Sequence, residues 1–329
     1  MKKASNLNIK LPIIFCSVAL CLVAALHNSQ NIVDYVLAAT FQPSSELTGI
    51  VAKTGLNDRG SFYLYASQPK LESSSDFNSY CTRVENVTSI LGCYNKKRIY
   101  VYNVKDSKLD GVREVTIAHE ALHAIYDRLS VAEKAKIDKL LESEYTKLKS
   151  DEGLTSRMAF YERNESGQFD NELHSVLGTE VGSISPELEN YYKQYFSDRQ
   201  KIIALNQKYL GVFKALSESA EQISNQITAL ANQITSETSE YNEAASNLSS
   251  QITNFNVRAN NGGFLTLAQF NNERAMLVAQ INNLERRRTE INSNISSYDS
   301  LIKQYNSIAT ETTKLYNSLD SSLATAPSI

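Results

Sequence analysis

Val115-Thr-Ile-Ala-His-Glu-Ala-Leu-His-Ala-Ile-Tyr-Asp-Arg-Leu129 decides how the rest of the chain is read. No glycine or proline occurs from Val112 to Leu129, and apolar residues at Val115, Ile117, Ala118, Ala121, Leu122 and Ile125 surround two histidines. The stretch is therefore expected to form a buried helix. On a helix, residues i and i+4 share a face, so His119 and His123 can offer two imidazole nitrogens to one metal ion. Glu120, turned by roughly 100° from His119, falls beside such a site in the place of a base.

The chemistry explains the spacing. Zinc takes four tetrahedral ligands, and a catalytic site keeps one of them for water, whose pKa falls to about 7. A neighbouring carboxylate can then take the proton as the water attacks a carbonyl, and Glu120 is the candidate. Three of the four histidines lie between positions 119 and 174. The plainer alternative is an amphipathic helix whose histidines are satisfied within the core.

His119-Glu120-Ala121-Leu122-His123 resembles the HExxH signature of zincin metallopeptidases, and the resemblance covers about Arg98 to Glu180. The metzincin branch would need a glycine and a histidine where this chain has Tyr126 and Leu129. Asn171-Glu172-Leu173-His174-Ser175 resembles the Asn-Glu-x-x-Ser segment of thermolysin-like gluzincins, which implies Glu172 as the third metal ligand. His174 and Glu180 are the rivals for that role. Those families place an aspartate that orients a ligand histidine where this chain has Val176. Tyr161, eleven residues before Glu172, is loosely similar to the phenol that steadies the oxyanion; a packing role is the alternative. The resemblance also implies an edge strand beside the cleft, expected at Arg98 to Val104, along which a peptide or protein substrate would lie.

Composition sets the frame for this centre. The chain has 329 residues, 42% hydrophobic and 21% charged, and its net charge of -3 offers no case for nucleic acid. No Trp, 12 Gly and five Pro predict long helices with few breaks. Residues 1–10 carry three lysines and no acid, and an apolar run from Leu11 to Leu26 follows. Ile32-Val33 and Tyr35 to Ala39 could extend it. The pattern predicts a retained single-pass membrane anchor with its N-terminus inside and the bulk of the chain extracytoplasmic. Cleavage near Val23-Ala24-Ala25, giving a secreted protein, is the alternative. Cys16 and Cys21 lack the small residue that precedes a lipidated cysteine. Cys81 and Cys93 are expected to pair as a disulfide, with two buried free thiols as the alternative.

Along the chain, Glu46 to Leu56 reads as a short helix, Ser61 to Tyr65 as a strand by alternation, and Ser73 to Ser79 as a polar loop. Ile90 to Tyr94 and Arg98 to Val104 flank Asn95-Lys96-Lys97 as a β-hairpin. Ser130 and Glu133 form a capping box that opens a helix from Val131 to about Leu148. Met158 to Arg163 is a helical patch. A helix capped by Asp170 or Asn171 carries Glu172, and Pro186 opens another after Ser185.

From about Gln200 the composition turns to Asn, Gln, Ser and Thr. Apolar residues recur at Ile223, Ile227, Leu230, Ile234, Tyr241, Leu248, Ile252 and Phe255. After a break at Asn260-Asn-Gly-Gly263 they resume at Leu277, Ile281, Leu284, Ile291, Ile295, Tyr298, Ile302, Tyr305, Tyr316 and Leu319. Two similar arms about an Asn-Gly turn predict an antiparallel coiled-coil hairpin, with parallel self-association of two chains as the alternative. Arg288 and Thr312 are expected in the seam.

The expected fold class is α+β. Residues 1–40 form the n-region and anchor, and residues 41–198 a small zincin-like metallopeptidase domain, mostly helical with a short antiparallel sheet. A long antiparallel α-helical coiled-coil hairpin follows over residues 199–329. The expected function is a zinc metallopeptidase. The alternative is a non-catalytic surface or stalk protein that works through its coil.

Overall fold

The computed structural model describes residues 29–81, 90–164 and 166–322. Helices α1 (Ser29–Thr40), α2 (Ser45–Val51) and α3 (Asp58–Ala66) precede β1 (Lys70–Glu72) and α4 (Ser74–Tyr80). The hairpin β2 (Gly92–Asn95) and β3 (Arg98–Tyr102) leads into α5 (Val112–Arg128), the helix that carries His119 and His123. Then come α6 (Val131–Lys147), α7 (Glu152–Asn164), α8 (Phe169–Thr179), α9 (Pro186–Tyr192), and the long α10 (Arg199–Asn260) and α11 (Leu267–Leu319). The described residues are thus α+β, mostly helical, with one small sheet.

Two cores meet on α5. Val115, Ala118, Leu122 and Ile125 pack with Ile137, Leu141, Met158, Leu173, Val176, Leu177 and Tyr192 from the helices that follow. Ile117, Ala121 and Ala124 pack instead with Ile99 and Val101 of β3 and with Leu47, Ile50, Val51 and Leu64. An amphipathic helix buries one stripe; α5 buries two, which leaves a narrow third stripe for His119, Glu120 and His123. Gly178 sets how closely α8 crosses it, because a Cβ there would lie 2.3 Å from Leu122 Cδ1 and 2.9 Å from Tyr192 Cε1.

The sheet runs in the order β1-β3-β2. β2 pairs antiparallel with β3, Cys93 opposite Tyr100, as the hairpin predicts. β1 pairs parallel with β3, Lys70 opposite Tyr100, so the sheet is mixed rather than antiparallel. β3 is therefore the central strand, not the edge expected at Arg98 to Val104, and β2 is the edge that faces α5. The turn puts Lys96 and Lys97 at φ 49° and 63°, a left-handed conformation that lysine tolerates poorly. Cys81, which ends α4, is bridged to Cys93 of β2 with Cα atoms 5.8 Å apart.

Two local expectations fail for identifiable reasons. Ser61 to Tyr65 lies in α3, not a strand: Asn57 caps the helix by accepting from Gly60 N, and Gly60 and Leu64, four apart, are both buried. Ser73 to Ser79 is largely helical, because Ser73 caps α4 and Phe77, 1% exposed, anchors it. Elsewhere the capping box of Ser130 and Glu133 forms as expected, and Pro186 stands in the first turn of α9.

The membrane anchor must be corrected: no helix among the described residues is long and apolar enough to cross a membrane. The run from Leu11 to Leu26 lies outside the described residues. Its expected extension, Ile32 to Ala39, belongs to the twelve-residue α1, which docks on the domain. Asp34, 1% exposed, accepts from Arg128 Nε at 2.7 Å and Nη2 at 2.9 Å. A buried carboxylate with that partner ties α1 to the end of α5 rather than to a bilayer span.

The chain divides into two compact units, one of Met1–Val212 with Leu315–Ile329, the other of Phe213–Lys314. In the second, Arg258 pairs with Glu273, Gln280 donates to Gln251, Arg287 to Glu240 and Asn294 to Glu237. Partner numbers rise on α11 as they fall on α10, so the helices run antiparallel. The α11 seam is narrower than its apolar stripe. Leu284, Ile291 and Tyr298 turn inward with Arg287 and Asn294, whereas Ile281 and Ile295 are 41% and 40% exposed. Arg288, expected in the seam, faces solvent and pairs with Glu285. In the first unit, Leu315 is fully buried and Ser321 bonds Asn78 twice, accepting from its Nδ2 at 2.6 Å and donating to its Oδ1 at 2.9 Å.

Candidate metal centre

His119 and His123 project from α5 one turn apart, their Nε2 atoms 3.1 Å from each other. Across the crossing with α8, Glu172 turns inward at 5% exposure. Its Oε2 lies 3.6 Å from Nε2 of His119 and 3.3 Å from Nε2 of His123. His119, Glu120 and His123 place their ligand atoms within 4.8 Å of one another and could hold a metal ion. Glu172 fits the third corner better than Glu120. Three donors bound at about 2.0–2.1 Å around a tetrahedral ion stand about 3.3 Å apart, and the two imidazoles and Glu172 are separated by 3.1, 3.3 and 3.6 Å.

Each imidazole has a group behind it. Asn171 Oδ1 lies 3.0 Å from His123 Nδ1, while its Nδ2 donates to Gln168 Oε1 at 3.0 Å, which fixes the direction of the amide. Asn171 therefore supports a histidine instead of capping α8. Glu180 Oε1 lies 3.9 Å from His119 Nδ1, and Arg157 Nη1 donates to both Glu180 oxygens at 2.7 Å. Val176 packs in the core at 1% exposure.

Glu120 is buried at 5% exposure, and its Oε2 has no hydrogen-bond partner. Burial pushes its carboxyl above the ordinary range, although the two imidazoles pull it back. Gly92 of β2 lies against it: a Cβ there would come 2.6 Å from Glu120 Oε1 and 2.6 Å from Thr116 Cγ2. Burial pushes His123 down, but the hydrogen bond and charge of Glu172, with Glu120 and Asn171, outweigh it and hold the imidazole up at about 9. Against the opposing push of burial, the same imidazoles hold Glu172 well below the usual carboxylate range.

The other sequence-derived candidates make different contacts. His174 is fully buried among Tyr126, Tyr191 and Tyr192, its Nε2 2.9 Å from the Tyr191 hydroxyl. Burial drives its pKa down to about 3. Tyr161 lies on α7 with its ring edge-on to Phe160, 5.5 Å between centroids. One turn earlier on that helix, Arg157 is the residue that reaches Glu180. Sequence reasoning missed Arg157, for which nothing in the pattern spoke. It expected the cap of α8 at Asp170 or Asn171, whereas the helix starts at Phe169 with Gln168 before it, and it passed over Gly92, although a glycine inside a strand is a signal of close backbone approach.

Compared with known proteins, the chain matches no family model, no curated protein and no solved structure.

Proposed function

We propose that the protein is a zinc-dependent metallopeptidase of gluzincin-like type, in which His119, His123 and Glu172 hold the ion and Glu120 is the general base. The observation that carries this reading is the convergence of three donor atoms at 3.1–3.6 Å, the corners of one face of a tetrahedral site, with a buried, unpartnered carboxylate oxygen beside them. Zinc bound there would lower the pKa of its water to about 7 and polarise a substrate carbonyl.

The chain's own residues supply the rest. Glu120, desolvated and raised in pKa, accepts the proton of the attacking water at its free Oε2 and passes it to the leaving amine. β2 offers its outer edge to an extended peptide, whose backbone can add to the sheet and lie across Glu120. Gly92 keeps that strand close enough to the carboxylate for the two to share one substrate. Tyr161 is assigned the oxyanion on its likeness in position alone, one turn beyond Arg157.

Metal content and hydrolysis test the reading together. The wild-type chain is expected to carry one zinc and cleave an unstructured protein substrate. His119→Ala is expected to lose the metal, and Glu120→Gln to keep it and lose cleavage by at least ~10²-fold. Unchanged cleavage by Glu120→Gln would remove the proposed mechanism.

A further inference from the structure

The glutamate that follows α8 holds no ion in the scheme above, yet it stands behind one of the ligands. His119 presents Nε2 to Glu172 and Nδ1 to Glu180. An imidazole offers a lone pair at Nε2 only when its proton is on Nδ1, and an acceptor behind Nδ1 selects that tautomer and fixes the plane of the ring. For His123 the acceptor is the neutral Asn171. For His119 the group behind Nδ1 is the carboxylate of Glu180, its Oε1 3.9 Å away on a side chain only 16% exposed: too far for a direct hydrogen bond, but near enough for its charge to favour the proton on Nδ1.

Glu180 is held by a counter-charge. Arg157 supplies one, with Nη1 at 2.7 Å from both carboxylate oxygens, on a side chain 42% exposed. Val176, one turn before Glu180, is spent in the core between α5 and α8, and α8 ends at Glu180, where a cation on α7 can meet the acid.

We infer that Glu180, clamped by Arg157, is a positioning residue that orients His119 for metal binding. The inference rests on the metal-centre reading above. Outer partners of ligand histidines contribute roughly 10–100-fold to metal affinity, so the effect is measurable without any substrate.

The test uses the full chain, stripped with a chelator and titrated with Co2+, whose visible spectrum reports ligand geometry, and with Zn2+ in competition with an indicator. Glu180→Gln is expected to bind roughly 10–100-fold more weakly and with a shifted Co2+ spectrum. Its melting temperature in chelator should match that of the wild type. Arg157→Gln should move affinity and spectrum the same way by less, and Arg157→Lys should restore most of the loss. If the wild type takes up no metal, the metal-centre reading and this inference fall together. If the wild type binds and Glu180→Gln binds within about threefold with the same spectrum, only the inference falls. Should Glu180→Gln fail to fold, the Arg157 pair decides: equal affinities for Arg157→Gln and wild type would overturn it.

Discussion

Replacing Gly92 with alanine tests how the edge strand and Glu120, the proposed base, share space. The new Cβ would meet Glu120 Oε1 and Thr116 Cγ2 at 2.6 Å and Glu120 Cγ at 2.8 Å, where ordinary contact begins at 3.4 Å. About 0.8 Å must therefore be absorbed, the difference between 3.4 and 2.6 Å. Thr116 cannot yield easily, since its hydroxyl donates to Val112 O at 2.8 Å within α5. The displacement falls on Glu120, and a shift of about 1 Å in a reacting group can cost ~10²-fold in rate. Overpacking should also cost about 1–3 kcal/mol of stability. None of the three proposed ligands is among the atoms that the methyl meets, so metal content should not change. Steady-state kinetics on a quenched-fluorescence peptide, with metal analysis and a thermal melt on the same sample, separate these effects. A folded, metal-loaded Gly92→Ala with kcat/KM within about threefold of wild type would show that β2 does not position the base.

Metal affinity should depend on pH with a definite sign. In the metal-free protein His123 is raised from 6.5 to about 9, so its pairing with Glu172 stabilises the metal-free fold fully below about 6.5 and is lost as pH rises through 9. Metal must displace that proton, so Zn2+ affinity should climb by up to ~10-fold per pH unit towards 9 and then level off; a competition titration from pH 6 to 9 that is flat would contradict the arrangement. Exchanging Cys81 and Cys93 for serine opens a loop with a sequence separation of 12, and chain entropy puts the loss at about 3 kcal/mol, readable as a lower denaturant midpoint. Lys96→Asn with Lys97→Gly relieves two left-handed lysines and should gain about 1 kcal/mol, a rise of roughly 2–4 °C in Tm; a fall would mean that the lysine side chains matter more than the turn.

The His-Glu-His group that could hold a metal ion was legible in the sequence; much of the scaffold around it was not. His119, Glu120 and His123 declare themselves because helical periodicity is local, and α5 is long and unbroken. The choice among Glu172, His174 and Glu180 depends on how α8 rolls against α5. That roll is set by Leu173, Val176, Leu177 and the missing side chain of Gly178, contacts that no spacing rule contains. Ser61 to Tyr65 alternates like a strand, yet the cap at Asn57 and the buried Gly60 and Leu64 outweigh the alternation. In α11 the apolar residues recur as a stripe, but a two-helix seam covers only part of it, and Ile281 and Ile295 stay exposed. The remainder of the register comes from Glu237 and Glu240 reaching Asn294 and Arg287, polar partners that periodicity ignores. β1 joins the sheet in parallel across a stretch that includes α4, a pairing between distant segments that only the folded chain reveals.

Ser321 and Asn78 are 243 positions apart, yet they share two hydrogen bonds. The unit bearing the histidines is therefore discontinuous in sequence, and a ribosome delivers its last piece only after all of Phe213–Lys314 has emerged. Contacts of such separation form late and slowly. Folding of that unit should wait until this last segment has been made, and a chain stopped near Lys314 should leave α4 and the neighbouring disulfide unsupported.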